Sequence, residues 1–261
     1  MGDTSLTLSP IGFGAFKIGR NENVKYAQGY PLPDQHAVDS LLNGVLDLGI
    51  NYIDTAPAYG LSEERIGEAL AGRRDEFVLS SKVGESFVDG RSVYDFSASG
   101  ARESVERSLR RLRTDVLDIV FVHASRDDMA VLNDTEVVEA LQGLRDGGLI
   151  RRMGFSGYTI EAVRSALSWS DAIMVEYHSE DLTLEPVIAE AAERGIRVIV
   201  KKGLSSGRLD AGESVQFVLS NEGVTSLLVG SLNLEHMREN LREARCVRAV
   251  ECEKGFSHQH L

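Results

Sequence analysis

Short apolar runs alternate along the chain with longer segments that repeat apolar residues every three or four positions. The runs are rich in Val, Ile and Leu, and their length predicts strands that are buried on both faces. In chain order they are INYID, EFVLSSK, VLDIVFVH, RRMGFSG, AIMVEY, IRVIVKK and TSLLVGS.

The intervening segments are predicted to be helices. In DQHAVDSLLNGVLDLG, apolar Val38, Leu41, Leu42 and Val45 fall on one helical face, and Gly49 is a typical stop. The same plan recurs in SASGARESVERSLRRLRT, NDTEVVEALQGLRDGG, TIEAVRSALSWS, LEPVIAEAAERG and NLEHMRENLREA. The polar segment RNENVKYAQGYPLP is expected to form a loop over one end of the fold.

Alternating strands and helices predict a parallel sheet with helical crossovers. Seven strand–helix units, with PIGFGAF near the start as a further strand, favour an α/β fold of the (β/α)8 TIM barrel type. A doubly wound sheet is the competitor, but Gly12 and Gly14 lack the spacing of a dinucleotide fingerprint, and no helix is expected directly after them. Because no composition break suggests a linker, residues 1–261 are expected to form one domain.

The charge balance narrows the possible partners. The 261 residues include 28 Lys and Arg against 40 Asp and Glu, a net charge of -12. Nucleic acid and anionic membranes are therefore not expected as partners. The chain has two cysteines, Cys246 and Cys252, no secretory signal and no apolar stretch of membrane length, which together predict a cytoplasmic protein. His258 and His260 in the tail are not expected to bind a metal.

Three ionisable residues stand at the ends of predicted strands. Asp54 ends INYID, Lys82 ends EFVLSSK and His123 ends VLDIVFVH. The carboxyl ends of barrel strands meet at one mouth, where the chemistry of such folds takes place. These side chains are therefore expected to converge, with Tyr59 in the loop that follows Asp54.

This set suits the reduction of a carbonyl group, which needs a hydride on carbon and a proton on oxygen. A phenol has a pKa of about 10 in water, and a neighbouring cation lowers that pKa because it stabilises the phenolate. Lys82 is expected to be this cation for Tyr59, with Asp54 holding Lys82 in place. His123 is expected to orient the carbonyl group through a hydrogen bond.

Each of these residues also has a structural explanation when it is taken alone. An aspartate after a strand is commonly a helix cap, a lone tyrosine is commonly part of the core, and a strand-end lysine commonly reaches solvent. The combination of all four on neighbouring strands favours a function. Spacing alone supports a candidate polar site and no named reaction.

A longer set of segments points to a family: GFGAFKIG, NYIDTAPAYGLSEERIGEAL, LSSKVG, LDIVFVHA, GLIRRMGFSGY, VEYHS and VGSLNLEHMRENL. In order and spacing, from about residue 9 to about residue 245, the chain resembles the aldo-keto reductases. The resemblance implies a (β/α)8 barrel that uses NADPH or NADH without a metal. It also implies that Asp54, Tyr59, Lys82 and His123 are catalytic, with Tyr59 as the general acid.

The resemblance implies cofactor-binding residues too, and here the sequence departs from the family. Ser156 is the serine of the family's serine–asparagine pair, but Gly157 replaces the asparagine. Met174 replaces the glutamine that would hold the carboxamide, and Lys201 replaces the aromatic residue that would stack on the nicotinamide. Gly157 and Met174 cannot make those side-chain hydrogen bonds. Lys201 or Lys202 is expected to approach the pyrophosphate instead.

Other cofactor contacts are expected after the first strand and after IRVIVKK. Gly14, Ala15 and Phe16 follow the first strand and should approach the cofactor or substrate. Leu204 and Ser206 match a loop that resembles a pyrophosphate clasp, although Ser206 also suits a plain turn.

The adenosine-binding stretch leaves the choice of cofactor open. It contains Ser231, Asn233, His236 and Asn240. Asn240 matches the residue that would contact adenine, and Ser231 matches one near the 2′ position. Many members that prefer NADP carry a lysine or arginine at the positions of Gly230 and His236, and neither is present here. NADP(H) and NAD(H) both remain possible, and family habit alone favours NADP(H).

The expected partner is a small-molecule carbonyl compound, or the corresponding alcohol or sugar. Phe16, Tyr26 and Tyr30 are candidates for one wall of the substrate pocket, and the acidic segment ASRDDMAVLND for another. A cofactor-sensing binding subunit with little or no catalysis is the alternative, because the nicotinamide contacts are altered. A monomer or a small homo-oligomer is expected.

Overall fold

The computed structural model describes residues 6–24 and 29–257, so Tyr26, His258 and His260 lie outside the described residues. The strands are β1 (Ile11–Gly14), β2 (Tyr52–Asp54), β3 (Val78–Val83), β4 (Glu85–Val88), β5 (Arg91–Tyr94), β6 (Leu117–His123), β7 (Ile150–Ser156), β8 (Ala172–Glu176), β9 (Arg197–Lys201) and β10 (Ser226–Val229). The helices are α1 (Phe16–Gly19), α2 (Gln35–Asp47), α3 (Ser62–Leu70), α4 (Ala98–Leu112), α5 (Asp128–Asp134), α6 (Val137–Asp146), α7 (Ile160–Ala166), α8 (Glu185–Glu193), α9 (Ala211–Leu219) and α10 (Leu234–Ser257).

Eight strands close into a parallel barrel. The order around the ring is β1, β2, β3, β6, β7, β8, β9 and β10, and β10 pairs with β1 to complete the ring. Strands β4 and β5 form a separate antiparallel hairpin. The predicted (β/α)8 barrel is therefore confirmed, and the doubly wound alternative is wrong.

The apolar residues form two layers of core. Tyr52, Phe121, Met174 and Ile199 belong to a cluster inside the barrel, and each is at most 1% exposed. A larger cluster lies between the barrel and the helices, where the predicted apolar face of α2 is buried. Burying one such side chain typically contributes about 1.5–3 kcal/mol, so these two layers fix the position of the strand ends.

The two-residue alternation of a strand places the polar residues at the barrel mouth. Tyr52 and Asp54 are two apart on β2, and Ser80 and Lys82 are two apart on β3, so each pair faces the same side. The Tyr52 hydroxyl lies 2.9 Å from Ser80 Oγ, and Ser80 Oγ donates to Asp54 Oδ1 at 2.7 Å. Both pairs therefore point into the barrel, with the polar layer above the apolar one.

Several elements were not predicted from the sequence. A short helix, α1, does follow β1 directly, contrary to the expectation stated above. Part of the segment expected to be an acidic wall is the helix α5, and Asp128 at its start is buried. The Asp128 carboxylate accepts hydrogen bonds from the backbone of Tyr158 and Thr159, so it braces the neighbouring loop. Within the described part of the chain, no helix is long and apolar enough to traverse a bilayer.

Candidate active site

A buried ion pair lies at the centre of the barrel mouth. Lys82 Nζ donates to both carboxylate oxygens of Asp54 at 2.7 Å and to the backbone oxygen of Thr55 at 2.8 Å. Lys82 and Asp54 are 1% and 2% exposed. Burial lowers the pKa of Lys82, and the Asp54 carboxylate opposes this effect. Because all three N–H bonds of an ammonium group meet acceptors, the geometry favours the charged form.

Tyr59 stands beside this ion pair. It ends a 3-10 turn, Pro57–Tyr59, which directly follows the β2 strand end. The centre of its ring lies 4.9 Å from Lys82 Nζ, and the ring meets the imidazole of His123 edge to face at 6.3 Å. Phe16 packs against the other side of the Tyr59 ring at 5.1 Å. The structure thus brings together all four residues that were predicted to be catalytic.

His123 is held in the neutral form. Burial lowers the pKa of His123 well below its usual value, and the positive charges of Lys82 and Lys201 act in the same direction. Its Nδ1 atom lies 3.0 Å from Glu85 Oε2, but the contact lacks hydrogen-bond geometry. A neutral imidazole carries one N–H, so His123 can donate a single hydrogen bond to a carbonyl oxygen.

The Ser62–Glu63 pair of the sequence motif has a positioning role. Ser62 Oγ accepts from the Thr55 hydroxyl and donates to the backbone oxygen of Ala15, each at 2.9 Å. Ser62 is the first residue of α3, and no side-chain hydrogen bond caps this helix. The buried Glu63 carboxylate accepts from Ser81 Oγ at 2.7 Å, next to Lys82 in the chain. These bonds tie α3 to the strand ends on both sides of the ion pair.

One cavity of about 740 Å³ connects the catalytic four with the start of α10. Its lining includes these residues that were predicted to contact the cofactor: Gly14, Phe16, Ser156, Met174, Lys201, Leu204, Ser206, Ser231, His236 and Asn240. Three others lie outside this lining. Ala15 is fully buried, Gly157 packs against the core, and the Asn233 side chain accepts from the backbone N–H of Glu235 at the start of α10.

The departures from the family pattern have a packing explanation. A Cβ atom on Gly157 would lie 2.4 Å from Phe155 Cε1 and 3.0 Å from Val163, so a side chain there would force these neighbours to move. Met174 is 1% exposed and belongs to the apolar cluster inside the barrel. The carboxamide-binding groups implied by the resemblance are therefore replaced by core packing at both positions.

Lys201, at the end of β9, lines the cavity and contacts the end of β7. Its Nζ atom donates to Ser156 Oγ at 2.9 Å and lies 4.6 Å from the centre of the Tyr158 ring. Burial lowers the pKa of Lys201 to about 7, with further lowering from the charges of Lys202 and Lys82. In the ranges that the structure describes, Lys202, unlike Lys201, has a carboxylate partner, because its Nζ lies 2.5 Å from Glu176 Oε2 in an ion pair.

The loop after β9 adopts an unusual backbone. Lys202, Ser205 and Ser206 have φ values of 55°, 47° and 60°, and Gly207 follows with 85°. Non-glycine residues in this left-handed region cost about 1–2 kcal/mol each and often mark functional sites. Arg208 Nη2 donates to Ser205 Oγ at 2.6 Å and helps to hold the loop. This loop forms the wall of the cavity between the catalytic four and α10.

The β4–β5 hairpin lies outside the lining of this cavity and packs against the loop after α1. The Arg20 guanidinium lies 3.5 Å from the centre of the Phe87 ring, and Asn23 Nδ2 donates to Gly90 O at 2.6 Å. These contacts hold the hairpin against the loop after α1, where the Tyr30 hydroxyl donates to Arg20 O. The predicted wall residue Tyr30 therefore helps to position the hairpin.

Sequence reasoning missed several residues of the site. Ser80, Thr55 and Tyr52 bind or support the ion pair, and Glu85 approaches His123. The alternation on β2 and β3 could have identified Tyr52 and Ser80, because each stands two residues before a predicted catalytic residue. Glu85 carried no comparable signal, since it belongs to the unpredicted hairpin.

With this geometry in place, the chain can be assigned to a class. The family model for the aldo/keto reductase family matches residues 10–214, so the chain belongs to the aldo/keto reductase family. It is accordingly an NAD(P)-dependent oxidoreductase.

Known proteins support this assignment over most of the chain. A putative aldo-keto reductase from Pseudomonas aeruginosa is similar at 43% identity, with a TM-score of 0.86 and coverage of 94% of each chain. The L-galactose dehydrogenase of Arabidopsis thaliana is 27% identical over 92% of this chain and 86% of its own length. The NADH-specific methylglyoxal reductase of Escherichia coli is 31% identical over 80% of this chain and 68% of its own length.

Proposed function

We propose that this protein reduces an aldehyde or ketone, or oxidises the corresponding alcohol or sugar, with Tyr59 as the general acid and base. The observation that carries the proposal is the position of Lys82 Nζ, 2.7 Å from the Asp54 carboxylate and 4.9 Å from the centre of the Tyr59 ring. An ammonium group beside a phenol stabilises the phenolate and so eases proton transfer near neutral pH.

Each of the four residues has a distinct role in this proposal. Tyr59 gives its proton to the carbonyl oxygen as negative charge develops there. Lys82 stabilises the resulting phenolate, and Asp54 keeps Lys82 charged and oriented. His123, being neutral, donates a hydrogen bond to the same oxygen and aligns the carbonyl group. Proton transfer of this kind typically contributes about 10²- to 10⁴-fold to the rate.

The volume and the extent of the cavity support a dinucleotide cofactor. Its volume of about 740 Å³ lies within the usual range of ligand sites, and it extends from Tyr59 past the loop after β9 to α10. A bound reduced nicotinamide supplies the hydride. We propose that Ser206 and the surrounding loop hold the pyrophosphate, and that Asn240 contacts the adenine.

The adenosine end supports NADH at least as well as NADPH. His236, Glu239, Arg242 and Glu243 line the cavity there, so two carboxylates accompany one guanidinium group. Arg242 Nη2 lies 3.4 Å from Glu243 Oε1, which further reduces the positive charge offered to a 2′-phosphate. The name of the Escherichia coli relative, an NADH-specific reductase, points the same way. This acidic lining supports NADH, and family habit supports NADPH.

The proposal is tested by titrating the protein with NADH and NADPH while following nicotinamide fluorescence, and then by measuring turnover with the tighter cofactor. The substrate panel should include methylglyoxal, short hydroxyaldehydes, sugars and apolar aldehydes of matched size. Turnover of polar carbonyl compounds would support the proposed function. Tight cofactor binding with no turnover across the whole panel would contradict it and would favour the cofactor-sensing alternative.

A further inference from the structure

Of the four lysines that line the cavity, Lys82, Lys201 and Lys202 stand at strand ends and differ in the groups that neutralise them. Lys82 Nζ contacts the two oxygens of a carboxylate, and Lys202 Nζ lies 2.5 Å from the carboxylate of Glu176. Lys201 has no such counter-ion within salt-bridge distance among the described residues. Its hydrogen-bond acceptor there is the neutral hydroxyl of Ser156, at 2.9 Å. Of these three amines, Lys201 is therefore the one that the structure least favours in the charged form.

The surroundings of Lys201 reinforce this difference. The groups that face it are the positive charges of Lys202 and Lys82, the carboxylates of Glu176 and Asp54, the ring of Tyr158 and the neutral imidazole of His123. Burial and the two cations outweigh the two carboxylates, and the pKa of Lys201 falls to about 7. At pH 7 about half of its amine is unprotonated, whereas an exposed lysine with a pKa near 10.4 is unprotonated in roughly four molecules per ten thousand.

Lys201 is also accessible to a small molecule. It lines the same cavity as Tyr59 and His123, at the end of the barrel strand β9. An amine that lines a cavity beside other cations has the properties of lysines that attack carbonyl groups. The proposed reduction does not use Lys201 in this way.

We propose that Lys201 condenses reversibly with small aldehydes to form an imine in the cofactor-free protein. The amine nitrogen bonds to the carbonyl carbon and gives a carbinolamine. The carbon–oxygen bond then breaks, and the oxygen leaves as water together with the two hydrogens of the amine. No electrons are gained or lost overall, so the step needs no oxidant or reductant. The site thus captures aldehydes covalently, which is an activity distinct from their reduction.

The imine can be trapped by reduction and located by mass spectrometry. Cofactor-free protein is incubated at pH 7.5 with glycolaldehyde and sodium cyanoborohydride, which adds hydride to the imine carbon and makes the bond permanent. The chain has six lysines, so peptide mapping can assign every adduct. Labelling of Lys201 is expected to exceed labelling of Lys82 and Lys202 by more than tenfold, and its rate is expected to rise as the pH passes through about 7. Equal labelling of all three lysines would overturn the proposal.

Two variants and one ligand sharpen the test. Lys201→Arg keeps the positive charge but cannot form an imine, so the adduct should disappear from this peptide. Lys202→Arg keeps the neighbouring charge and serves as the matched control, in which the Lys201 adduct should persist. If Lys201→Arg folds poorly, the pH profile of the wild-type protein decides alone, because a labelling rate without a rise near pH 7 contradicts the proposal.

Saturating NADH should slow the labelling, since NADH and the aldehyde occupy one cavity, and undiminished labelling would place the adduct outside it. Labelling is read without turnover, so failure here is distinct from failure of the proposed reduction.

Discussion

The ammonium group of Lys82 contacts both oxygens of the Asp54 carboxylate at 2.7 Å, in a part of the barrel where neither side chain is more than 3% exposed. A buried pair of this kind seldom adds stability compared with apolar residues of the same volume. Its presence at the strand ends beside Tyr59 therefore fits a role in proton transfer better than a role in folding.

Replacing Tyr59 with phenylalanine should separate catalysis from cofactor binding. We expect turnover to fall by about 10²- to 10⁴-fold, because the ring stays in place while the proton donor is lost. The affinity for NADH should change little, since the ring contacts with Phe16 and His123 do not need the hydroxyl. Steady-state kinetics and a fluorescence titration measure the two effects. A variant that reduces a good aldehyde as fast as the wild-type protein would exclude Tyr59 as the general acid.

The Asp54–Lys82 pair should show strong coupling in stability. Asp54→Asn and Lys82→Met each leave one buried group without its partner, and each is expected to lower the free energy of unfolding by about 3–5 kcal/mol. The double variant should recover most of that loss while remaining inactive. Urea unfolding of the four proteins gives the coupling energy. Simple additivity of the two single effects would show that the pair does not act as a unit.

Lys201→Met should stabilise the protein near neutral pH. The pKa of Lys201 is about 7 in the folded protein and near 10.5 when the chain is unfolded, so between these values the unfolded chain binds more protons. The folded wild-type protein therefore loses stability as the pH is lowered from about 10.5 to about 7. We expect the variant to be more stable by on the order of 4 kcal/mol at pH 7, and by much less at pH 10.

Thermal and urea unfolding at several pH values measure this difference. Lys202→Met is the control, because Lys202 is 36% exposed in its ion pair and should change stability by about 1 kcal/mol or less. A pH-independent difference between the wild-type protein and Lys201→Met would show that Lys201 titrates normally.

Gly157→Ala should destabilise the protein even though it adds one carbon atom. The new Cβ would lie 2.4 Å from Phe155 Cε1, and such overpacking typically costs about 1–3 kcal/mol. Gly143→Ala in α6 is the matched control, because no atom lies within 4 Å of its Cβ position and alanine favours a helix. We expect this control to be neutral or slightly stabilising in urea unfolding. Equal effects at the two positions would mean that the Phe155 contact does not restrict Gly157.

The fold and the catalytic four could be predicted because both follow from local patterns. Buried parallel strands are short and apolar on both faces, and the eight strand segments carried this signal. Three such runs end at their carboxyl ends with an ionisable residue: Asp54, Lys82 and His123. Because the carboxyl ends of barrel strands meet at one end of the barrel, these residues were expected to lie close together. The resemblance to the aldo-keto reductases implied that Tyr59 is the general acid. In the structure, the centre of the Tyr59 ring lies 4.9 Å from Lys82 Nζ.

The rest depended on contacts between distant parts of the chain. The β4–β5 hairpin is held by Arg20 and Asn23, which lie more than sixty residues earlier, so its own residues gave little sign of it. The charge state of Lys201 depends on its burial and on the pairing of Lys82 and Lys202 with carboxylates. Both follow from the positions of side chains in the folded protein. Asp128 was expected to be part of an acidic loop. In the structure it is buried, and its carboxylate accepts hydrogen bonds from two backbone N–H groups.

The close approach of Phe155 to Gly157 also constrains the order in which this sequence can change over generations. An asparagine at position 157 would require the Phe155 ring to move, because a Cβ atom there would lie 2.4 Å from Phe155 Cε1. A side chain at position 157 should therefore be accompanied by a change at Phe155.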